Sequence, residues 1–485
     1  MTEVPSSERD AADAPSTEAA PSTEAGPGPE PEAQADESTP GWYRWWVGVA
    51  VLVGLVLRVA WVWWGHRTPW TDHGFANYDP ARYLQYADAI GRGHGYTAPF
   101  RILKGSHPGQ LPLAGQATAY YPPGYPWFLG IIDAICRAVG LSGHVVLVAE
   151  LIQAGLGAVT AALGAVVARR LAGVRAGVVA AFGLALYPNL IFHTGVLLGE
   201  TLYDFLFLAF LAVLCLRPWP EGLTTRRVVA AAVPFALAIM VRPISLALLP
   251  FLFLIWWGAH HAWRPALKHL ALLVLVVLGA VVPWTVRNEI RMHGFVPLST
   301  NTGDNLCIGH SSAANGKFTV QVVDDPCKVP DGVQFGATSE IKADKEKQKI
   351  AIDAITAHPG REAWLLWRRV YFTFIRDGDH DGVVAAQTYR HDRWIPIPTE
   401  SRLFRVADIS YWITCAVGLV GLLRLILRRR PEAWLLIAST VVTAVVPLAF
   451  FGDSRFKVPV MPLLLVAAAT ALFLPRPDRG VSGDR

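Results

Sequence analysis

Long apolar stretches, separated mostly by short basic loops, fill the chain from Trp42 almost to its C-terminus. Several of them approach the roughly 20 residues that a helix needs to cross a hydrocarbon layer about 30 Å thick. The pattern therefore predicts an all-α polytopic membrane protein with about ten transmembrane helices. The predicted spans cover residues 43–64, 145–168, 175–192, 197–216, 228–242, 244–258, 266–286, 408–427, 433–451 and 456–474.

The basic loops predict how these spans are oriented. Arginine and lysine cluster in four short loops, and such loops stay on the cytoplasmic side of a membrane. Ten spans with a cytoplasmic N-terminus put all four inside, together with the C-terminus. Residues 65–144 and 287–407 then lie outside the inner (plasma) membrane. The basic loops are residues 168–175, 216–227, 260–269 and 427–432.

Two amphipathic segments are predicted to lie on the outer surface. Residues 122–139 are apolar enough to resemble a span, but counting them would move the loop at 168–175 outside and reverse every later loop. We therefore expect a surface helix there, with an irregular topology as the alternative. The run REAWLLWRRVYFTFIRDG predicts another surface helix.

Composition changes this picture only at the ends of the chain. Of the 485 residues 53% are hydrophobic and 17% charged, whereas residues 1–40 carry ten acidic residues and one arginine. Such a segment buries too little apolar surface to fold. We expect a disordered cytoplasmic tail at 1–40, a membrane domain at 41–475 and a short cytoplasmic tail at 476–485. The formal net charge of +5 fits lipid-facing loops, and no basic-aromatic motif indicates nucleic-acid binding.

Three acidic residues are candidates for chemistry. Asp79 precedes a helical stretch just beyond the first span, where it could cap the helix or take a proton from an incoming hydroxyl. Glu200 stands at the start of an apolar span, and Asp204 follows one turn later on the same face. Acids so placed are costly unless they line a wet cavity, although Glu200 could be exposed at the interface and Asp204 could cap or pair.

Four basic residues are candidates for binding a phosphate. The two spans on either side of Arg242 have fifteen residues each, about 22 Å of helix, and prolines interrupt them. Their connection should lie sunken in an outward-facing cavity, where guanidinium groups suit a phosphate. Arg287, Arg455 and Lys457 stand at outer ends of spans, and snorkelling towards lipid headgroups is the alternative for each.

The histidines and cysteines add less. His73, His94 and His107 share the first external segment with Asp72 and Asp79, but their spacing matches no compact metal-binding motif. We therefore predict no metal and no other cofactor, although a divalent ion stays open. Cys307 and Cys327 are the only cysteines of the second external segment, so they form either a disulfide or two free thiols.

Several motifs in one order resemble the GT-C glycosyltransferases that use polyprenyl-phosphate sugars, especially family 39 protein O-mannosyltransferases and lipid A aminoarabinose transferases. The resemblance extends over most of the membrane domain. It rests on YDPARYLQYADAIGRGHGY followed by PPGYP, the segment around Glu200, VRPISLALLP, PWTVRNEIRMHGFVPLSTNTGDNLCIGH and GDSRFKVPVMP.

The resemblance implies an inverting transfer of a sugar from a polyprenyl phosphate to a hydroxyl outside the membrane. Asp79 would be the general base, although Pro80 replaces the second acid that often follows it. Tyr121 replaces the lysine of a Lys-Pro-Pro motif that helps to hold the lipid phosphate, which shifts that task to Arg242, Arg287, Arg455 and Lys457.

Glu200 would orient the sugar or the acceptor. We further expect Tyr78, Arg82, Tyr121 and Asp204 to help position the substrates. The expected partners are a polyprenyl-phosphate-linked sugar, membrane lipids, and a glycan, glycolipid or protein acceptor. A flippase for lipid-linked sugars and a non-catalytic membrane scaffold are the competing interpretations, since buried charges and proline-broken helices also occur in transporters.

Overall fold

The computed structural model describes residues 39–67, 79–98, 115–319, 326–327, 337–378 and 394–474. Within these ranges the chain is mainly helical, and the only β-type pairings are two isolated bridges. The predicted all-α class is confirmed. The predicted tails and Tyr78 lie outside the described residues, apart from positions 39 and 40.

Sixteen α-helices follow one another in the described part of the chain, and short 3₁₀ turns join several of them. The helices are α1 Gly41–Gly65, α2 Asp79–Gly91, α3 Gly124–Ala138, α4 Val145–Ala172, α5 Val174–Leu186, α6 Pro188–Phe192, α7 Glu200–Leu214, α8 Thr225–Val241, α9 Leu249–His260, α10 Trp263–Met292, α11 Thr302–His310, α12 Ala337–Ala357, α13 Pro359–Phe374, α14 Ile397–Arg428, α15 Pro431–Val445 and α16 Met461–Phe473.

All ten predicted spans are helical, but they differ in length. Among the described residues, seven helical segments are long and apolar enough to cross a membrane, and α5 with the bent continuation Pro188–Gly195 makes an eighth. Helices α7 and α8 have only 15 and 17 residues. The chain is thus a multi-pass membrane protein, while the count of ten crossings and their orientation stay predictions.

Small residues let two helices of the bundle meet closely. A Cβ atom on Gly421 of α14 would lie 2.0 Å from the carbonyl oxygen of Ala467 in α16, and one on Gly418 would lie 2.9 Å from that of Leu464. Close backbone approach of this kind is typical of membrane helices, which pack without a hydrophobic drive between them. Helix α16 is consequently almost entirely buried, at the centre of the bundle.

Both segments predicted to form surface helices are helical and amphipathic. Helix α3 buries Leu129 and leaves Trp127, Ile131 and Ile135 exposed along one side. With 15 residues it is too short to cross a bilayer straight. Helix α13 exposes Trp364 and Trp367 in the same way, so each helix presents an apolar stripe that suits a membrane surface.

The second external segment packs around α11. Helix α12 lies against α11, and Glu340 and Asp344 of α12 face the start of that helix and the loop before it. Cys307 of α11 forms a disulfide with Cys327 across a Cα–Cα distance of 5.9 Å. These contacts join α11, α12 and the residues around Cys327 into one unit.

Candidate active site

Asp79 is the first residue of α2 and lies against residues from two distant parts of the chain. The hydroxyl of Tyr121 donates a hydrogen bond to Asp79 Oδ1 at 2.6 Å. Arg455 Nη1 donates to Asp79 Oδ2 at 2.5 Å. Both oxygens of the carboxylate are therefore held, and its position at a helix N-terminus adds the favourable field of the helix dipole.

Arg455 connects Asp79 to a second acid, Glu200. Its Nε donates to Glu200 Oε1, and Nη2 lies 3.4 Å from Oε2. Arg242 Nη2 also donates to Oε1, and the Glu200 side chain is completely buried. Asp79, Glu200, Arg242 and Arg455 thus form one network, called the acid–arginine cluster below.

The local sequence explains how each member reaches this point. Glu200 begins α7, directly after the non-helical residues that follow the bent end of α6. Pro243 ends α8, because proline cannot continue the hydrogen-bond ladder, and Arg242 projects from the break. Arg455 lies in the 3₁₀ turn Ser454–Val460 that precedes α16. Broken helix ends therefore supply three of the four members.

The surroundings of Asp79 keep it ionised. Burial by itself would raise the pKa of this carboxyl, but the guanidinium of Arg455 and the hydrogen bond from Tyr121 hold the pKa below its usual value, with a smaller contribution from Arg82. The group is therefore a carboxylate at neutral pH. It can accept a proton, although the arginine weakens it as a base.

Tyrosine rings surround the carboxylate. The centroid of the Tyr83 ring lies 4.7 Å from that of Tyr121 and 5.0 Å from that of Tyr125. The guanidinium of Arg82 lies over the Tyr120 ring at 5.4 Å and makes no hydrogen bond among the described residues. Arg82 thus offers free N–H donors close to Asp79, and the Asp79 side chain itself is 33% exposed.

Arg242 also keeps donors available. Among the described residues its side chain hydrogen-bonds only Glu200, and a guanidinium carries five N–H groups. Its side chain is 15% exposed. An anion could therefore bind Arg242 without breaking the pair with Glu200.

Asp204 lies one turn beyond Glu200 but outside the network. It is buried, and its Oδ1 has no hydrogen-bond partner among the described residues. It lines a small internal cavity with Arg58, Thr160 and Thr201. Because Asp204 lies inside the bundle, it is separated from the tyrosine rings around Asp79.

The structure does not bring Arg287 into the acid–arginine cluster. Its guanidinium donates to the carbonyl oxygens of Thr118 and Tyr96 and to Asn288 Oδ1, and it lies 4.8 Å from the ring centroid of Trp284. These contacts brace the first external segment.

Lys457 is likewise engaged elsewhere. It is 1% exposed, lies 3.1 Å from Asp377 Oδ1 and donates to the carbonyl oxygen of Arg376 at 2.6 Å. Tyr187 donates to the other oxygen of Asp377 at 2.6 Å. Lys457 therefore fastens the residues that follow α13 to the bundle.

Sequence reasoning missed two polar groups near the site. Glu150 of α4 is completely buried and lies 2.6 Å from His66 Nε2 at the end of α1. Gln153 accepts a hydrogen bond from Tyr125 at 2.6 Å. An acid inside the apolar run VVLVAELIQAG was the available signal, because intramembrane charges are costly without partners.

No group of three possible metal ligands comes together in the described part of the chain. His94 is the one predicted candidate histidine among the described residues, whereas His73 and His107 lie outside them. The described groups therefore give no geometry on which to build a metal site, and the acid–arginine cluster is already neutralised by its own guanidinium groups.

Comparison with solved structures places this arrangement in a known fold. AglB, the archaeal oligosaccharyltransferase from Archaeoglobus fulgidus, in complex with an inhibitory peptide and a dolichol-phosphate, matches at a TM-score of 0.50 and 15% identity, over 89% of this chain and 50% of AglB. The chain has a GT-C fold. This GT-C chain thus spans about half the length of AglB.

A second GT-C structure in the comparison is ArnT from Cupriavidus metallidurans, bound to undecaprenyl phosphate, with a TM-score of 0.38 and 15% identity over 90% of this chain and 78% of ArnT. No family model and no curated protein sequence matches the chain. The GT-C assignment therefore concerns the fold, and the activity has to be argued from the site.

Proposed function

We propose that this protein is an inverting membrane glycosyltransferase that moves a sugar from a polyprenyl phosphate to an acceptor hydroxyl on the outer face of the membrane. The observation that carries the proposal is the acid–arginine cluster, which combines an ionised carboxylate at the end of an external helix with guanidinium groups at broken membrane helices. AglB, which has this fold, was solved with a dolichol-phosphate. A family 39-like activity is part of the proposal.

The chemistry assigns one step to each group. Asp79 accepts the proton of the acceptor hydroxyl as its oxygen attacks the anomeric carbon. The bond from that carbon to the phosphate oxygen breaks, and its electron pair stays on the lipid phosphate. Arg242 and Arg455 stabilise the charge that grows on the phosphate, because cations fixed in a dry site act strongly on developing charge.

The remaining residues serve binding. Glu200 fixes both arginines and orients the sugar or the acceptor, and Arg82 offers its unused donors to either substrate. Tyr78 and Tyr121 are proposed to position the substrates, whereas Asp204, which was expected to do the same, lies apart from them inside the bundle. Arg287 and Lys457, which were expected at the phosphate, contribute by fixing the loops around the site. The acceptor is a glycan, a glycolipid or a protein hydroxyl.

Replacement of the base is the direct test. Cells that lack the gene are complemented with wild type, Asp79→Asn or the control Asp353→Asn, which changes an exposed acid of α12. Glycolipids and glycoproteins are then compared by mass spectrometry. We expect the glycan lost with the gene to return with wild type and with the control, while Asp79→Asn lowers transfer about 100-fold or more, as loss of a general base does.

Two results would contradict the proposal. Full restoration by Asp79→Asn would remove the base assignment. An unchanged glycan profile with lipid-linked sugar accumulating on the inner side would instead identify a flippase. Immunoblots of membrane fractions show that each variant is present in the membrane.

A further inference from the structure

Hydrogen bonds hold five of the eight backbone N–H and C=O groups in the short segment from Thr118 to Tyr121. Arg287 donates to the Thr118 carbonyl at 2.7 Å, and the Thr300 N–H donates to the Ala119 carbonyl at 2.9 Å. The hydroxyl of Tyr96 donates to the Tyr121 carbonyl at 3.0 Å. This segment ends at the residue that hydrogen-bonds the proposed base, so its position decides where that phenol lies.

One side chain from the second external segment closes this arrangement. Glu340 of α12 accepts hydrogen bonds from the Thr118 hydroxyl at 2.7 Å, from the Ala119 N–H at 3.0 Å and from the Thr300 hydroxyl. The Thr118 oxygen in turn accepts from the Tyr120 N–H at 3.1 Å. A single carboxylate thus binds donors of both segments, and the Ala119 N–H that it accepts from is 221 residues away in sequence.

A neighbouring contact links the same helix to the site from another side. Lys347 of α12 donates to Asp304, and Asp304 accepts a hydrogen bond from the Tyr120 hydroxyl at 2.8 Å. The ring of Tyr120 supports the guanidinium of Arg82. Helix α12 therefore supports both Tyr121 and Arg82, which lie close to Asp79. It does not contact Asp79 itself.

We propose that Glu340 is a positioning residue of the transfer reaction, because it fixes the segment from Thr118 to Tyr121 and so keeps the Tyr121 hydroxyl on Asp79. The inference rests on the proposed function. A displacement of about 1 Å at a reacting group can cost about 100-fold in rate. Residues that hold such a group therefore act on catalysis through geometry, as Glu340 does here through Tyr121.

The test is a double-mutant cycle with Glu340→Ala, Tyr121→Phe and the double variant. Glu346→Ala is the matched control, since Glu346 lies on the same helix and its side chain makes no hydrogen bond or ion pair among the described residues. We expect Glu340→Ala to lower kcat/KM about 10- to 100-fold, mainly through kcat. The kcat/KM of the double variant should be no lower than that of Tyr121→Phe, because both changes remove the same hydrogen bond from Tyr121 to Asp79.

The pH profile separates positioning from general damage. Asp79 faces Arg455 and Tyr121 from other elements, Arg82 and Tyr83 from its own helix, and Glu200 through Arg455. The Tyr121 hydrogen bond lowers the pKa of Asp79. Glu340→Ala and Tyr121→Phe should therefore move the acidic limb of kcat/KM to higher pH by the same amount, and Glu346→Ala should leave it unchanged.

A readout that does not depend on transfer comes from hydrogen exchange. The amides of Ala119 and Tyr120 are protected directly and indirectly by Glu340, so Glu340→Ala should accelerate exchange in a peptide covering residues 118–121. Glu340→Gln, which keeps one acceptor oxygen, should restore part of both protection and kcat.

The failures are distinguishable. If wild type shows no sugar transfer, the proposed function fails, whereas hydrogen exchange still reports on the contacts that Glu340 makes. If wild type is active, additive effects of the two substitutions on kcat/KM would overturn the positioning role. An acidic limb of the pH profile that stays at the same pH would do so too. If Glu340→Ala does not fold, Thr118→Ala replaces it in the cycle and removes one of the three donors.

Discussion

Asp79, the proposed general base, also occupies the start of a helix, and the sequence presents these two roles as alternatives. It begins α2, where a carboxylate stabilises the helix, and it also contacts Arg455 and Tyr121. The hydrogen bonds from Tyr121 and Arg455 hold the carboxylate still, which is what a general base requires. The pairing with Arg455 has a cost, because a guanidinium at this distance weakens the base. A lipid phosphate that draws on the same guanidinium would relieve that effect.

Arg455 is the residue whose loss should affect most steps. Arg455→Gln leaves two acids without their shared cation, which is strongly unfavourable when one of them is buried. We expect kcat/KM to fall about 100-fold or more, the acidic limb of its pH profile to move upward, and the affinity for a polyprenyl phosphate to decrease. Arg455→Lys should recover part of this loss, since it keeps the charge but not the fork of donors.

Kinetics across pH and binding of undecaprenyl phosphate in detergent provide the measurements. Arg402→Gln, at an exposed arginine of α14, is the control. Unchanged phosphate affinity in Arg455→Gln would show that the guanidinium serves only the acids.

Helix α12 shows how a polar helix attaches to the rest of a membrane protein. A Cβ on Gly303 would lie 2.2 Å from the carbonyl oxygen of Asp344, so α11 and α12 meet backbone to backbone. The Gly303 N–H donates to Asp344 Oδ1 at 2.6 Å. Amphipathic periodicity predicts such helices, but the carboxylates that attach them to a partner are indistinguishable in sequence from solvent-exposed ones.

This attachment should depend on pH. Burial raises the pKa of Asp344 to about 6 from an ordinary 3.8, although the hydrogen bonds from Gly303 and Gln348 oppose the shift. The folded state then binds the proton more tightly than the unfolded state. The protonated Asp344 carboxyl therefore stabilises the folded state fully below about pH 4, and this stabilisation is lost as the pH rises through about 6.

Asp344→Asn should remove that dependence. We expect thermal stability in detergent to fall less between pH 4.5 and 7 in the variant than in wild type, with the difference between the two curves assigning the effect to this carboxyl. Equal slopes would mean that Asp344 has the same pKa folded and unfolded. Asp353→Asn, an exposed acid on the same helix, should match wild type.

The bundle and the two external segments together make one site from broken helices. Seven or eight described segments are long enough to cross a membrane. The cluster forms at the start of α7, at the α8–α9 connection and in the 3₁₀ turn before α16. Such ends leave backbone and cations available at a sheltered depth. The predicted orientation places the acid–arginine cluster on the outer side of the membrane, where lipid-linked rather than nucleotide sugars would be the donors.

The orientation can be measured with single cysteines. In a background without Cys136, Cys215 and Cys415, Lys345→Cys should react with an impermeant maleimide in intact cells, whereas Glu221→Cys should react only after lysis. Positive loops retained inside are the physical reason. The opposite labelling pattern would invert the whole topology and place the cluster on the cytoplasmic side.

Hydropathy alone predicted the helical class, the ten helical segments and both amphipathic helices, because a bilayer forces every spanning segment to satisfy its own hydrogen bonds and to be apolar. It also drew attention to Asp79, Glu200 and Arg242, since charges in such surroundings require partners. The hydropathy pattern did not predict which partners these three charged residues have. Arg455 and Asp79 are 376 residues apart, and no local pattern encodes a contact over that distance.

The arginines show the same limit most clearly. In sequence Arg287 and Arg455 both end or begin a span on the outer side, yet one braces a loop at Thr118 and the other joins two acids. Glu340 resembles any acid of a charged helix until folding puts it beside the Ala119 N–H. The sequence pattern specifies which residues enter the membrane, whereas helix packing specifies which charges meet, because pairing energies depend on distances that exist only after the chain has folded.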